Sequence, residues 1–510
     1  MIYCILGQTA SGKTGVSLKI CKELGLPLIG GDVYQMYKEL NIGSAKPRED
    51  ELEGVVNHCI NDISVEDEMS VFTYQKKARE ILDYYVSKNQ DVVVSGGTFL
   101  YIRSLFYPYE FKEETVKIDE SKYDSYSNEE LFEMLKEKDF DATLNLHMNN
   151  RRRVIRALEI ASDGSTKKSE MKMKKEKLLY PVTFLAIDID RDEVNEKINK
   201  RVDEMVDEGL FEEVEELKKK FDTSSLKAFE AIGYKEILDD SLTTKEEKIE
   251  KIKLDTRQYA KRQRTFLRHQ FKNIKFLSKE DIYKYVVYDH NRRLRNNYSL
   301  EPKYLKNIEK SEVAVVGVGG VGSIVALALV RLGVRNITLV DKDTVDVTNL
   351  NRQLAYDKDD IGRSKVEALK DKLLKIDPLL NVEVKEEMYN EDSLSKNLDF
   401  VFDCIDDVPS KCDLYSFAKE NEIKIIHATG SGLRKDSTFF TTGTLEDTGE
   451  PLSKKFKREL KARGVTNLKE VNIAYSKEVP MKRVGDFVGS NVVAPNSEGL
   501  AMVSYFIKNI

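Results

Sequence analysis

Two stretches of this chain share one local grammar, and any fold must satisfy both. Residues 2–14 read IYCILGQTASGKT and residues 312–323 read EVAVVGVGGVGS. In each, a short β-branched run enters a glycine-rich turn and then a helix-forming segment. That succession opens a βαβ unit, whose parallel strands need helices on both faces. At roughly 100–200 residues per domain, a chain of 510 residues has room for two such units and more. The glycine spacings differ, so the two starts are not an internal repeat. They predict two α/β domains with mainly parallel sheets.

The segments between the starts set the boundaries. Residues 192–220 and 245–272 carry helical periodicity, rich in Glu, Lys, Val and Leu. Residues 281–310 are polar, with one proline and no clear period, and read as a linker with a helix leading into the second domain. The expected division is 1–280 (with a helical insertion near 110–150), a linker over 281–310, and 311–510.

Composition excludes several classes. At 41% hydrophobic and 33% charged residues, the chain is too apolar for wholesale disorder. No apolar run approaches the roughly 20 residues that span a bilayer, and the first residues read as a strand rather than a signal peptide. Cys4, Cys21, Cys59, Cys404 and Cys412 show no C-x-x-C pair, so no zinc site is expected and the thiols read as reduced, in a cytoplasmic protein. The net charge of −6 gives no global sign of nucleic acid. Charge is local instead: residues 167–177 (KKSEMKMKKEK) are lysine-rich, and 251–272 hold eight Lys and Arg against one acid, Asp255. Taken alone, such runs are solvated faces.

Gly7, Gln8, Thr9, Ala10, Ser11, Gly12, Lys13 and Thr14 fit G-x-x-x-x-G-K-[ST]. The backbone N–H groups of such a loop point at phosphate oxygens, the following helix adds its positive end, Lys13 neutralises phosphate charge and Thr14 can hold Mg²⁺. An ATPase would follow with an apolar strand ending in an acid. Here the strand at residues 91–95 (DVVVS) runs into Gly96-Gly97-Thr98, and the acid at a strand end is Asp32.

Several ordered motifs then resemble the tRNA dimethylallyltransferases over residues 1 to about 275: GQTASGKT, GGDVYQMYKELNIGSAKP (30–47), GGTFLYI (96–102), HMNNRRRVIRALEI (147–160), AFEAIGYKE (228–236) and TRQYAKRQRTFLR (256–268). The resemblance implies transfer of a dimethylallyl group from dimethylallyl diphosphate to the exocyclic amine of the adenosine 3′ to the anticodon. The loop would then hold the departing diphosphate with Mg²⁺ and Lys13. Asp32 would be the general base, Thr98 would help position the site, and Gln35 would contact the adenine or the loop around it. Arg257, Lys261, Arg264 and Arg268 fall on one helix face, while Ile252, Tyr259 and Phe266 line another. With the cluster Arg151, Arg152, Arg153 and Arg156, the basic face would track the phosphates of a tRNA anticodon stem-loop, from which the target base is extruded. Val33 stands where the family usually has Ser, Phe99 where it has Gly and Gln8 where it has Pro, and the chain has no Trp.

In the second start, Gly317, Gly319, Gly320 and Gly322 suit a dinucleotide or an ATP equally, and Asp341 ends the next strand where a ribose-binding acid belongs. Asp343, Asn349, Asn351, Arg352 and Gln353 follow at once, then Lys365, then VFDCIDD with Asp403 and Asp406. This succession is similar to the ubiquitin-activating-enzyme-like adenylyltransferases of the ThiF/MoeB type. It implies that Arg352 and Lys365 bind ATP phosphates and that Asp406 holds Mg²⁺ while a carboxylate attacks the α-phosphate.

The stretches HATGSGLRKDST (427–438), EPLSKKFKRELKARGV (450–465) and AYSKEVP (474–480) look like the threonylcarbamoyladenosine dehydratase branch, which cyclises that base in tRNA. There Arg434, Lys435, Lys454, Lys455, Lys457 and Arg458 would meet tRNA phosphates. The fold class implied is a P-loop NTPase-like parallel sheet with a helical insertion, fused to a Rossmann-like ubiquitin-activating-enzyme-type adenylation domain that pairs as a homodimer, with Arg293 or Arg295 reaching a neighbouring site. The two modifications concern different tRNAs. Free AMP as acceptor for the first half remains open. For the second half, a sulfur-carrier or ubiquitin-like protein as substrate, or a non-catalytic docking and dimerisation role, also remains open.

Overall fold

A computed structural model describes residues 1–108, 120–143, 146–162, 178–483 and 488–510. The lysine-rich run 167–177 lies outside the described residues.

The first sheet has six parallel strands, β1 (Ile2–Leu6), β2 (Leu28–Gly30), β3 (Asn57–His58), β4 (Val92–Gly96), β5 (Val182–Ile187) and β6 (Lys275–Leu277), in the order β3-β2-β4-β1-β5-β6. Every residue of β1 is buried. That is the expected state of a central parallel strand covered on both faces, and it explains the unbroken apolar run in place of alternation. One face packs with Val94, Ile102 and Phe106 in a core that also holds Phe184 and Phe271. The other packs against the helix Lys13–Leu24 and against Ile282 and Val286 from a later helix.

The second sheet has seven strands, β7 (Glu312–Val316), β8 (Asn336–Val340), β9 (Asn381–Lys385), β10 (Phe400–Asp403), β11 (Lys424–Ala428), β12 (Phe440–Thr444) and β13 (Asn472–Ser476), ordered β12-β13-β11-β10-β7-β8-β9. Only β12 runs antiparallel, against β13. The helix Gly320–Leu332 and the last helix, Val493–Asn509, close one face around Leu329, Phe400 and Phe506.

The segments read as helical form Arg191–Asp207, Leu210–Lys220 and Lys245–Gln270. The last of these is started by a reciprocal cap: Thr244 Oγ1 accepts the Glu247 N–H and the Glu247 carboxylate accepts that of Thr244.

The polar segment expected to link the halves, with a helix leading into the second, is helical over most of its length. It holds two helices, Lys279–Ser299 and Pro302–Lys310. Its charges have buried partners: Arg293, 1% exposed, donates to Asp91 (2.8 Å), Asp289 (3.1 Å), Glu309 (2.5 Å) and the Tyr3 hydroxyl (2.9 Å). Arg335 of the second half donates to Asp289 at 2.6 Å and pairs with Asp377, while Arg292 reaches Asp377 at 3.0 Å. Burial alone would raise Asp289, but Arg335, Arg293 and Arg292 outweigh it and hold its carboxyl well below the usual range. Arg293 is therefore committed inside the chain, which corrects the expectation that it reaches a neighbouring site. Periodicity shows no apolar stripe here because the buried face of the helix is charged.

Candidate functional sites

In the first half the loop 7–14 leaves β1 and turns sharply. Ala10 and Gly12 take positive φ, at 60° and 85°, and the Ser11 N–H bonds Gln8 O. Gly12 alone relieves that conformation without a side-chain penalty. Ser11 Oγ is buried with no hydrogen-bond partner. A buried hydroxyl facing no acceptor or donor of the chain suits a loop built to receive one from a ligand.

Lys13 begins the following helix and is 7% exposed. β2 delivers Asp32 and β4 delivers Gly97 and Thr98 to the same rim. A Cβ on Gly97 would stand 3.2 Å from Asp32 Oδ2, 3.5 Å from Lys13 Nζ and 2.7 Å from Gln263 Nε2. The bare Cα thus marks the point where carboxylate, cation and amide converge. Burial lowers the Lys13 ammonium to about 8 against the pull of Asp32, and burial raises Asp32 against the pull of Lys13. Each opposes the neutralising effect of burial on the other.

Arg201, from the helix Arg191–Asp207, adds to the field at both groups. It was not singled out from the sequence, where it is one cation among many on a charged helix. Thr98 Oγ1 accepts the Val33 N–H at 3.2 Å. Only the backbone of Val33 is used, which is why the departure from Ser changes nothing in that contact. Phe99 turns into the core, with ring centroids 6.1 Å from Phe266 and 6.3 Å from Phe271, so its bulk stays out of the site.

The helix Lys245–Gln270 lies against the loop. Gln263, 3% exposed, accepts from the Thr9 N–H at 2.8 Å and donates to Gly97 O at 2.9 Å. Gln8 donates to Ala260 O at 2.9 Å, so the residue in place of proline ties the loop to this helix. Outward, Arg191, Arg257, Lys261 and Arg264 line a cleft of about 300 Å³ that reaches Gln8. Arg153, Lys261, Arg262 and His269 line a second of about 840 Å³, which joins the arginine cluster to the basic helix. Arg152, Arg156, Lys261 and Arg268 are exposed. Gln35 instead donates to Ala45 O at 3.2 Å and Ser44 O at 3.4 Å, bracing a turn.

In the second half, Gly317 takes φ 85°, and a Cβ there would lie 2.8 Å from Cys404 O; one on Gly322 would collide with Gly317 O at 1.8 Å. No side chain fits at either place, so the turn can close over the end of β7. Asp341 accepts the Val318 N–H at 2.8 Å and lies at the end of β8. Lys365 pairs with Asp343 at 2.9 Å. Arg352 bonds the Thr348 carbonyl and the Asn351 amide oxygen, 2.8 and 2.9 Å away, and pairs with no acid among the described residues. Gln353 is buried beside Gly319.

After β10, Asp403 is buried and bound to Lys411 (2.9 Å) and His427 (2.5 Å), whereas Asp406, three residues on, is exposed at the rim. The three acids of VFDCIDD thus divide: Asp403 is internal, Asp406 faces solvent, and Asp407 caps the next helix by accepting the Ser410 N–H at 2.9 Å. Arg434 is 3% exposed and pairs with Glu450 at 2.6 Å, so it is structural rather than a phosphate contact. Lys435, Lys454, Lys455 and Arg458 remain exposed.

Among the described residues no group of three or more His, Cys, Asp or Glu is poised to hold a metal, and no helix is long and apolar enough to cross a membrane.

Comparison with known proteins matches the two halves to different families. The IPP transferase family model matches residues 35–270 and the ThiF family model residues 290–471. A tRNA dimethylallyltransferase of Anoxybacillus flavithermus is 37% identical over 273 residues, covering 53% of this chain and 88% of the relative. One of Bacillus subtilis is 35% identical over 277 residues, 53% of this chain and 88% of the relative. A solved tRNA N6-threonylcarbamoyladenosine dehydratase of Escherichia coli, in complex with AMP, is 30% identical and aligns with 43% of this chain and 93% of its own, with a TM-score of 0.42. The chain belongs, through its first half, to the tRNA dimethylallyltransferase family, and carries in its second half a domain of the ThiF family.

Proposed function

We propose that the first half transfers dimethylallyl from dimethylallyl diphosphate to the exocyclic amine of the adenosine 3′ to the anticodon of a tRNA. The observation that carries this is the convergence of Asp32, Lys13 and Gly97 at the mouth of a phosphate loop flanked by arginine- and lysine-lined clefts. The loop N–H groups, Lys13 and Arg201 hold the diphosphate and meet the charge that grows as the C–O bond breaks. The amine nitrogen attacks the released allylic carbon, and Asp32 takes the amine proton. Mg²⁺ bound beside Thr14 would supply further charge to the leaving group. With no acid cluster there, its remaining ligands would be diphosphate oxygens and water, the usual habit of that ion. The basic helix and Arg152, Arg156, Arg257, Lys261, Arg264 and Arg268 favour an RNA acceptor over free AMP, which offers one phosphate.

For the second half we propose ATP-dependent cyclisation of threonylcarbamoyladenosine in tRNA. The base's carboxylate attacks the α-phosphate and diphosphate leaves. The carbamoyl group then attacks the acyl carbon and AMP leaves, so that water is lost overall. Arg352 and Lys365 hold phosphates and Asp341 the ribose, while Asp406, open at the rim, would hold a Mg²⁺ that supplies charge neutralisation to the phosphates. Exposed Lys454, Lys455 and Arg458 supply an RNA-facing surface, which favours this over a sulfur-carrier protein. We also propose a homodimer through this half. Exposed Val488, Val492, Val493 and Leu500 give it an apolar face.

Mass spectrometry of nucleosides tests both readings. With the donor and Mg²⁺, unmodified tRNA gains an isopentenyl group. With ATP and Mg²⁺, threonylcarbamoyladenosine-bearing tRNA loses water, and Asp406→Ala abolishes only the second product. No product in the second reaction would return that half to carrier-protein activation or docking.

A further inference from the structure

The contacts between the two halves gather at one kind of place. Asp91 directly precedes β4 and Asn273 lies just ahead of β6, whereas Arg335 directly precedes β8, Glu309 lies ahead of β7 and Asp377 ahead of β9. Asn273 bonds Asn336 at 3.2 Å, Asn89 donates to the carbonyls of Asn297 and Leu300, and Tyr288 donates to Ile376 O. The sheet residues among them all stand at N-terminal edges of the two parallel sheets, and the helix Lys279–Ser299 lies along the same seam. The phosphate loop, Asp32 and Thr98 lie at the opposite, C-terminal edge of the first sheet. Gly317, Asp341 and Asp406 lie at the C-terminal edge of the second. The two crevices therefore face away from each other.

The separation follows from the elements. β1 and β7 are each five residues long, about 17 Å at roughly 3.3 Å per residue, so two strands place the crevices on the order of 35 Å apart. The helix Lys279–Ser299 gives an independent ruler. Its first residue lies beside Gly12 of the phosphate loop and its Arg293 beside Asp91 at the seam. At about 1.5 Å per residue those points are roughly 21 Å apart. The seam does not hinge freely, because opening it would expose or strand Asp91, Asp289, Arg293 and Asp377, each at most 2% exposed. A spacing of about 35 Å is several Debye lengths at physiological salt, roughly 8 Å each, so two polyanions held there barely repel.

We infer that one chain holds two tRNA anticodon stem-loops at once, one at each pole, and that no loop passes from one crevice to the other without dissociating. This rests on the RNA substrate proposed for the second half. In the test, the full chain is titrated with two stem-loops carrying different fluorophores, one with adenosine and one with threonylcarbamoyladenosine 3′ to the anticodon. Sedimentation velocity should show both RNAs on one chain, and saturating the first should change the Kd of the second by less than about twofold. Lys261→Glu/Arg264→Glu should release only the first, and Lys454→Glu/Lys455→Glu only the second. The inference is overturned if saturation with one RNA displaces the other, or if either charge reversal releases both. It also fails if the modified loop never binds while the unmodified one does. That result, unlike displacement, would place the fault in the function assigned to the second half.

Discussion

Arg293→Met isolates the seam that fixes the two halves. The arginine is nearly inaccessible and is shared by Asp91, Asp289 and Glu309. Methionine fills much of the volume but supplies no donor. Asp289 keeps Arg335 and Arg292, and Asp91 keeps His290 and the Met1 ammonium, but Glu309 loses its 2.5 Å partner and is left with the Met1 ammonium at 3.5 Å. Removing one member of a buried pair costs about 3–5 kcal/mol, and the shared geometry places the expected loss near 4 kcal/mol. At 1.4 kcal/mol per factor of ten, that is about a thousandfold in the opening equilibrium. Amide hydrogen exchange read by mass spectrometry should show it at the starts of β1, β4, β7 and β8, with little change at β11 and β13, which lie away from the seam. The exposed pair Lys197–Glu193, with side chains 39% and 53% accessible, is the control. Lys197→Met should cost no more than about 0.5 kcal/mol. If Arg293→Met behaves like Lys197→Met, the seam does not hold the halves together and the reasoning from buried charge fails.

Three further outcomes follow from the sites. Lys13 acts charged and burial brings it to about 8. Prenyl-transfer kcat/KM for the donor, which reports the free enzyme, should therefore fall as pH rises through about 8, whereas a flat profile to pH 10 would exclude the ammonium. Gly97→Ala, whose methyl would crowd Asp32, Lys13 and Gln263, should cut prenyl transfer by at least about tenfold while urea denaturation stays near wild type; undiminished turnover would show that the bare Cα is not needed. Burial pushes Glu498, which accepts from the Thr429 and Gly430 N–H groups, up to about 7. Its raised value means stability present below the unfolded value near 4.5 is lost as pH climbs to about 7. Glu498→Gln keeps the acceptor and should flatten that slope, and an unchanged slope between pH 5 and 7 would assign the titration to another group.

The sequence by itself determined the local chemistry. Motifs contiguous in the chain, such as the loop 7–14, GGT at 96–98 and the turn 317–322, are fixed by backbone demands that a single stretch can meet, so their glycines and tight turns were legible. The basic face of 257–268 was legible because a helix turns spacing into a surface. What only the tertiary structure decided is which distant groups meet. Arg201 and Gln263 enter the first site from helices whose other residues look the same in sequence. Arg434 and Arg293 looked like available cations and proved committed, because the acids that hold them, Glu450, Asp91 and Glu309, are brought alongside only by packing. The same holds for the segment 281–310, whose buried face is charged and therefore gives no apolar period. The opposed direction of the two crevices is likewise absent from any local pattern. It arises because parallel strands put all their C-terminal ends on one edge, and a balanced cluster of buried charges joins the two sheets by the other.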